Sequence, residues 1–169
     1  PAGAASTSGE PTVRTTAKVD YAVRAALELA RAHPLDGSRP APVTRQQLAE
    51  AQDIPSKFLE HILADLKRSR LISSVRGADG GYWLSRPPAE ITMADIIRAA
   101  EGPLADVRGV RPDSLDYGDE LEGLQRAWIA LRANLRAVLE NVTLTDLRDG
   151  KLAAEIDALA DSDDAWAHR

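Results

Sequence analysis

The sequence predicts a mainly helical protein interrupted by one small β-hairpin, and three stretches carry that expectation. From Ser56 to Arg70, Leu59, Ile62, Leu63 and Leu66 recur at three- and four-residue spacing, the buried stripe of one helix. Two short alternating segments follow, Leu71–Arg76 and Tyr82–Arg86, joined by Gly77–Gly81, whose glycines supply the positive φ angles of a tight hairpin turn. Further on, Leu121, Leu124, Trp128, Leu131, Leu135, Val138 and Val142 step by 3, 4, 3, 4, 3 and 4, a heptad seam. At 1.5 Å per residue that seam implies about 33 Å of helix. A polar-faced helix followed directly by a glycine hairpin is the layout of a winged helix-turn-helix, here extended by a long C-terminal helix.

Each element has its own local signal. Residues 1–12 are small and polar, and we expect a disordered tail. Val19, Ala22, Val23, Ala26, Leu27 and Ala30 trace a first amphipathic helix, with Thr15 or Thr16 near its start. Pro34 to Pro42 reads as a surface loop. Thr44 and Gln47 form a capping box that starts a second helix running to about Gln52. Pro55 disfavours helical geometry at Ile54, and Ser56 can cap the next helix. Pro87 and Pro88 stop the hairpin. Thr92 then caps a helix, with Asp95 three residues on and Ile91 placed to staple against Ile96. Gly102 and Pro103 end it. Residues 102–118 form an irregular Gly/Pro/Asp-rich stretch of 17 residues, a length usually reserved for function or disorder. Thr145 is placed to cap a short turn that Gly150 breaks, and Leu152, Ile156 and Leu159 mark a last weak helix. Residues 161–169 are acidic and expected to fray. The expected organisation is a DNA-binding domain at 13–102, a sensor or linker loop at 103–118, and a dimerisation helix with a C-terminal helix at 119–160.

With 169 residues the chain is one ordinary domain plus an extension. It has no cysteine, which removes disulfides, thiolate metal sites and cysteine nucleophiles. No apolar run reaches membrane-spanning length and no secretion leader is visible, so a cytoplasmic protein is expected. A net charge of −5 is unexpected for a DNA binder until it is divided along the chain. Residues 13–86 hold 12 Lys/Arg against 8 Asp/Glu, a net of +4, whereas residues 87–169 hold 9 against 17, a net of −8. The basic excess sits on the half that would meet phosphates.

The reading helix would enter a major groove, with the hairpin over an adjacent backbone. On that basis Ser56, Lys57 and His61 are candidate base or phosphate contacts, the plainer alternative being a cap and a solvated face. Glu60 faces near the same side, where it could accept from a cytosine amine or prune weak sites by repulsion. Arg76, held by the turn of Gly77, Gly80 and Gly81 before Tyr82, is the leading phosphate or minor-groove candidate. Arg14, Thr15 and Lys18 are further backbone candidates near the first helix. Arg24 could equally pair with an acidic neighbour. His33, His61 and His168 share no ligand spacing, and Asp106, Asp113, Asp116 and Asp119 read as a solvated acidic loop rather than a cation site. No catalytic residue or metal ligand is expected. The seam could pack within the monomer, or it could join two copies about a twofold axis; paired reading helices favour the second.

Arg14 to Arg24, the Leu59–Leu63 core, Val75 to Tyr82, Leu84 to Pro88 and Ile91 to Gly102 together resemble the Rrf-two family of IscR/NsrR/CymR-type bacterial transcription regulators. The resemblance covers roughly residues 13–147. It implies a homodimer on palindromic double-stranded DNA, dimerised through the long helix, with the segment after Gly102 as sensor. In the cluster-binding members three cysteines in that segment hold an iron–sulfur cluster; here the segment has none, so no such cofactor is expected. Asp20 sits where some members complete the cluster, and alone it reads as a carboxylate favoured at a helix start. A repressor answering a small-molecule or protein effector is the leading expectation. The competing one is a protein-interaction module that keeps the winged helix as a scaffold and binds a metabolic enzyme or another regulator.

Overall fold

The computed structural model describes residues 15–38 and 40–167. The expected tail at 1–12, Arg14 and the last two residues, His168 and Arg169, lie outside them. Helix α1, Ala17–Arg31, is the centre of the packing, with the Thr16 hydroxyl accepting from the Val19 N–H at 3.2 Å. Its buried face is largely Ala22, Ala25, Ala26 and Ala30, with Leu29. Side chains this small let several neighbours approach one helix closely, and α1 packs against each of the next three helices and the hairpin.

Helix α2, Arg45–Gln52, carries the reciprocal Thr44/Gln47 capping box and ends at Asp53 in the left-handed region. Helix α3, Ser56–Arg68, buries Leu59, Ile62, Leu63 and Leu66. Pro55 occupies its cap position and no side chain caps it. Ser56 is therefore the first helical residue and not the cap expected from sequence, because the fixed φ of proline already sets the entry into the helix.

Strands β1, Ile72–Val75, and β2, Gly81–Leu84, pair antiparallel with Ile72 opposite Leu84 and Val75 opposite Gly81. Val43 joins as a third, one-residue strand, exchanging backbone hydrogen bonds of 2.9 and 2.8 Å with Tyr82. This explains Gly81: a Cβ there would lie 2.6 Å from the Val43 carbonyl oxygen. Gly77, at φ 117°, and Gly81, at φ 157°, both have positive φ; Gly80 is required for space, since a Cβ would lie 2.6 Å from the Val75 oxygen.

Helix α4, Met93–Glu101, starts at a Thr92/Asp95 capping box, and Ile91 and Ile96 are both fully buried as the staple requires. The chain then crosses residues 102–121 to α5, Glu122–Leu139, and α6, Leu144–Asp149. The cap of α6 is Thr143 with Asp146, not Thr145. Thr143 wins because the backbone beside it is already held. Met93 N–H donates to Val142 O at 2.8 Å and Leu144 N–H to Ile91 O at 2.9 Å, so α4 and α6 start clasped together. Helices α7, Ala154–Ala160, and α8, Asp163–Trp166, complete the described chain, so part of the stretch expected to fray is a helical turn.

The seam is shorter than its sequence pattern. Helix α5 has 18 residues, about 27 Å at 1.5 Å each. Leu121 belongs to a preceding 3₁₀ turn, and Val142 is buried in the clasp at 3% exposure. Leu124, Trp128, Leu131, Leu135 and Val138 remain on the helix, and none of its residues is buried.

Candidate nucleic-acid interface

The buried stripe of α3 fixes what the helix shows to solvent. Opposite Leu59, Ile62, Leu63 and Leu66, the residues Lys57, His61, Ala64 and Arg68 form an exposed row at helical spacing. The Lys57 ammonium has no hydrogen-bond or ion-pair partner among the described residues. His61 Nδ1 lies 2.8 Å from the Lys57 carbonyl, which only accepts, so Nδ1 carries the hydrogen and Nε2 has no partner among the described residues. Ser56 is exposed on the first turn, where the uncapped backbone N–H groups suit a phosphate. Glu60 is engaged: its carboxylate pairs with Arg45 at 3.5 Å across the helix–turn–helix.

On the wing, Arg76 and Gly77 are exposed at the turn, and the Arg76 side chain has no partner among the described residues. Gly81 is buried, while Gly80 and Tyr82 are half-buried. These three shape the wing, and its outer surface belongs to Arg76 and its neighbours.

The first helix is less open than its sequence suggests. Thr15 is exposed, but Lys18 is turned inward, 2.7 Å from Asp65 of α3 and 2.5 Å from the Ala100 carbonyl of α4. The Lys18 hydrogen bond holds the Asp65 carboxyl below its usual range, with Arg68 adding to it and burial opposing. Arg24 reaches Asp20 at 3.3 Å and also donates to Gln52 Oε1 and to the Gln52 carbonyl, so the Arg24 guanidinium is engaged within the chain.

Three residues at this surface were not singled out from the sequence. Arg45 starts α2 beside the reading helix, Arg70 is an exposed cation in the left-handed region at φ 58°, and Phe58 is 50% exposed with its ring edge-on to Tyr21 at 6.0 Å. Arg45 was discoverable, since the capping box already put it in the first turn of the element facing the same groove.

Residues 103–118 are ordered against α5. Leu104 and Pro112 are buried, Arg132 donates to Leu104 O at 2.6 Å, and Gln125 donates to Pro112 O and Leu115 O. Asp113 is paired with Arg111, and the Asp116 carboxylate accepts from the Gly118 N–H. No group of three His, Cys, Asp or Glu side chains among the described residues could hold a metal ion. No helix among them is long and apolar enough to cross a membrane.

A helix-turn-helix with an exposed cationic reading row and a basic hairpin wing defines a winged-helix DNA-binding protein. More particularly, the chain belongs to the Rrf2 family: a family model described as "Iron-dependent Transcriptional regulator" matches residues 15–150. It is 44% identical over 149 residues to the Mycobacterium tuberculosis protein Rv1287, named as an HTH-type transcriptional regulator, covering 88% of this chain and 89% of that one. Bacillus subtilis CymR is 31% identical over 135 residues, covering 80% and 89%. Among solved structures, CymR, titled the global cysteine regulator of B. subtilis, superposes with a TM-score of 0.64 at 30% identity over 83% of this chain and 99% of that one. The T. potens IscR structure gives 0.60 at 30% identity, covering 93% of each chain. This is a DNA-binding transcriptional regulator and not an enzyme. Among the described residues, the iron in the family description finds no cluster of three donors. The segment after Gly102 has no cysteine or histidine, and Asp113 and Asp116 are already engaged.

Proposed function

We propose that the chain represses transcription in the cytoplasm as a homodimer on a palindromic operator, without an iron–sulfur cluster. The observation that carries this reading is α5: Leu124, Trp128, Leu131, Leu135 and Val138 form an apolar row on an 18-residue helix that buries none of its residues within the monomer. A second copy would cover that row and set two reading helices at a fixed separation, which a palindrome needs. Lys57, His61 and Arg76 then supply the groove and backbone contacts. Residues 103–118, tethered along α5, are where a small-molecule or protein effector would act on the dimer. Such an effector must bind the DNA-competent and incompetent forms unequally. The test is selection of bound fragments from genomic DNA, followed by titration of the best fragment across salt. A shared inverted repeat whose affinity falls steeply with salt supports the reading, since each phosphate contact adds about 0.9 to the slope. Binding without sequence preference, or none at low salt, sinks it.

A further inference from the structure

Three helix ends meet at one ammonium group. Lys18 Nζ, on the first turn of α1, sits 2.7 Å from Asp65 Oδ2 on α3 and 2.5 Å from the Ala100 carbonyl at the end of α4. Beside it the Thr16 hydroxyl donates to Glu101. The Ala100 carbonyl is among the last four of its helix, which lack intrahelical partners and attract cations. Two residues later the chain turns at Gly102, φ 93°, into the segment tethered to α5. On the other side Asp65 also accepts from Arg68 at 2.8 Å, and Arg68 belongs to the exposed row of the reading helix. Asp65 thus shares two cations, one structural and one facing DNA.

We propose that Lys18 is a positioning residue: it neutralises Asp65 from inside, shares that carboxylate with Arg68, and ties the setting of the reading helix to the end of α4, so that a shift of residues 103–118 changes DNA affinity by drawing Lys18 off Asp65. The inference rests on the DNA-binding reading above and adds the path of its control. When Lys18 leaves, Asp65 becomes a carboxylate on the DNA-facing helix with Arg68 as its sole compensation. The Asp65 charge is then offset by Arg68 alone, and repulsion of phosphate rises. This differs from a direct contact, in which Lys18 would itself touch the DNA backbone.

The full-length protein separates the two. DNA affinity is measured across salt for wild type, Lys18→Gln, Lys18→Arg, Asp65→Asn and the Lys18→Gln/Asp65→Asn double variant. A lost charge-assisted hydrogen bond predicts about tenfold weaker binding for Lys18→Gln. Lys18→Arg should hold near wild type, and the double variant should return to the affinity of Asp65→Asn alone. If the double variant stays as weak as Lys18→Gln, and both lose about 0.9 of salt slope per subunit, Lys18 is a phosphate contact and the bridge is wrong. The reciprocal readout is amide hydrogen exchange of residues 103–118. Bound DNA should slow it in wild type and not in Lys18→Gln, because coupling acts in both directions. Equal slowing in both overturns the link to that segment. Wild type binding with no rescue sinks the bridge alone, whereas wild type binding no DNA overturns the functional reading with it.

Discussion

Arg76 and His61 are both exposed, yet they answer different questions about a DNA site. Arg76 stands on a wing turn without a protein partner, so its charge is available to phosphate. Arg76→Ala should weaken binding to every sequence and reduce the salt slope by about 0.9 per contact removed. Titrations across salt check this, and an unchanged slope would remove the wing from the interface. His61 is also exposed, and with Nδ1 on the Lys57 carbonyl its proposed base contact falls to Nε2. His61→Ala should change which bases are preferred, by about 1–3 kcal/mol at the position read, and a selection with the variant would show it. The exposed row of α3 was legible in the sequence, because periodicity alone places Lys57, His61 and Arg68 opposite the leucines. The acidic neighbour of Arg24, Asp20 four residues back, was legible too, whereas what Lys18 and Glu60 pair with was not, since Asp65 and Arg45 come from other elements.

Helix ends show the same division at the scale of the element. Thr44 with Gln47, and Thr92 with Asp95, were readable as capping boxes because both partners lie within one turn. Near α6 the chain offers Thr143 and Thr145 within three residues. The clasp between Val142, Leu144 and the start of α4 selected the first. Thr143→Ala should therefore cost about 1 kcal/mol in urea unfolding, while Thr145→Ala should stay within about 0.5 kcal/mol. Equal losses would argue against the assigned cap. The wing likewise owes its glycines to two causes, positive φ at Gly77 and Gly81 and crowding by Val43 at Gly81, and only the first is a property of the turn itself.

For the whole molecule the decisive contrast lies between α1, which is enclosed by its neighbours, and α5, none of whose residues is buried. Leu131→Asp should leave the monomer fold intact, because Leu131 is only half-buried there. It should nevertheless yield monomers in sedimentation and weaken operator binding by about a hundredfold or more, as two linked sites become one. A variant dimer as stable as the parent would remove α5 as the joining surface. By itself the sequence determined the order of the elements, the winged-helix class, the reading row and the absence of thiolate chemistry. Each of these follows from composition, or from residues close enough along the chain to recur within a turn or a hairpin. Tertiary structure alone decided where α5 stops, that Val142 belongs to the core, that residues 103–118 lie ordered along α5, and that Lys18 faces inward. Those outcomes join groups tens of residues apart, whose meeting is set by how the helices pack and by which buried polar groups then require a partner.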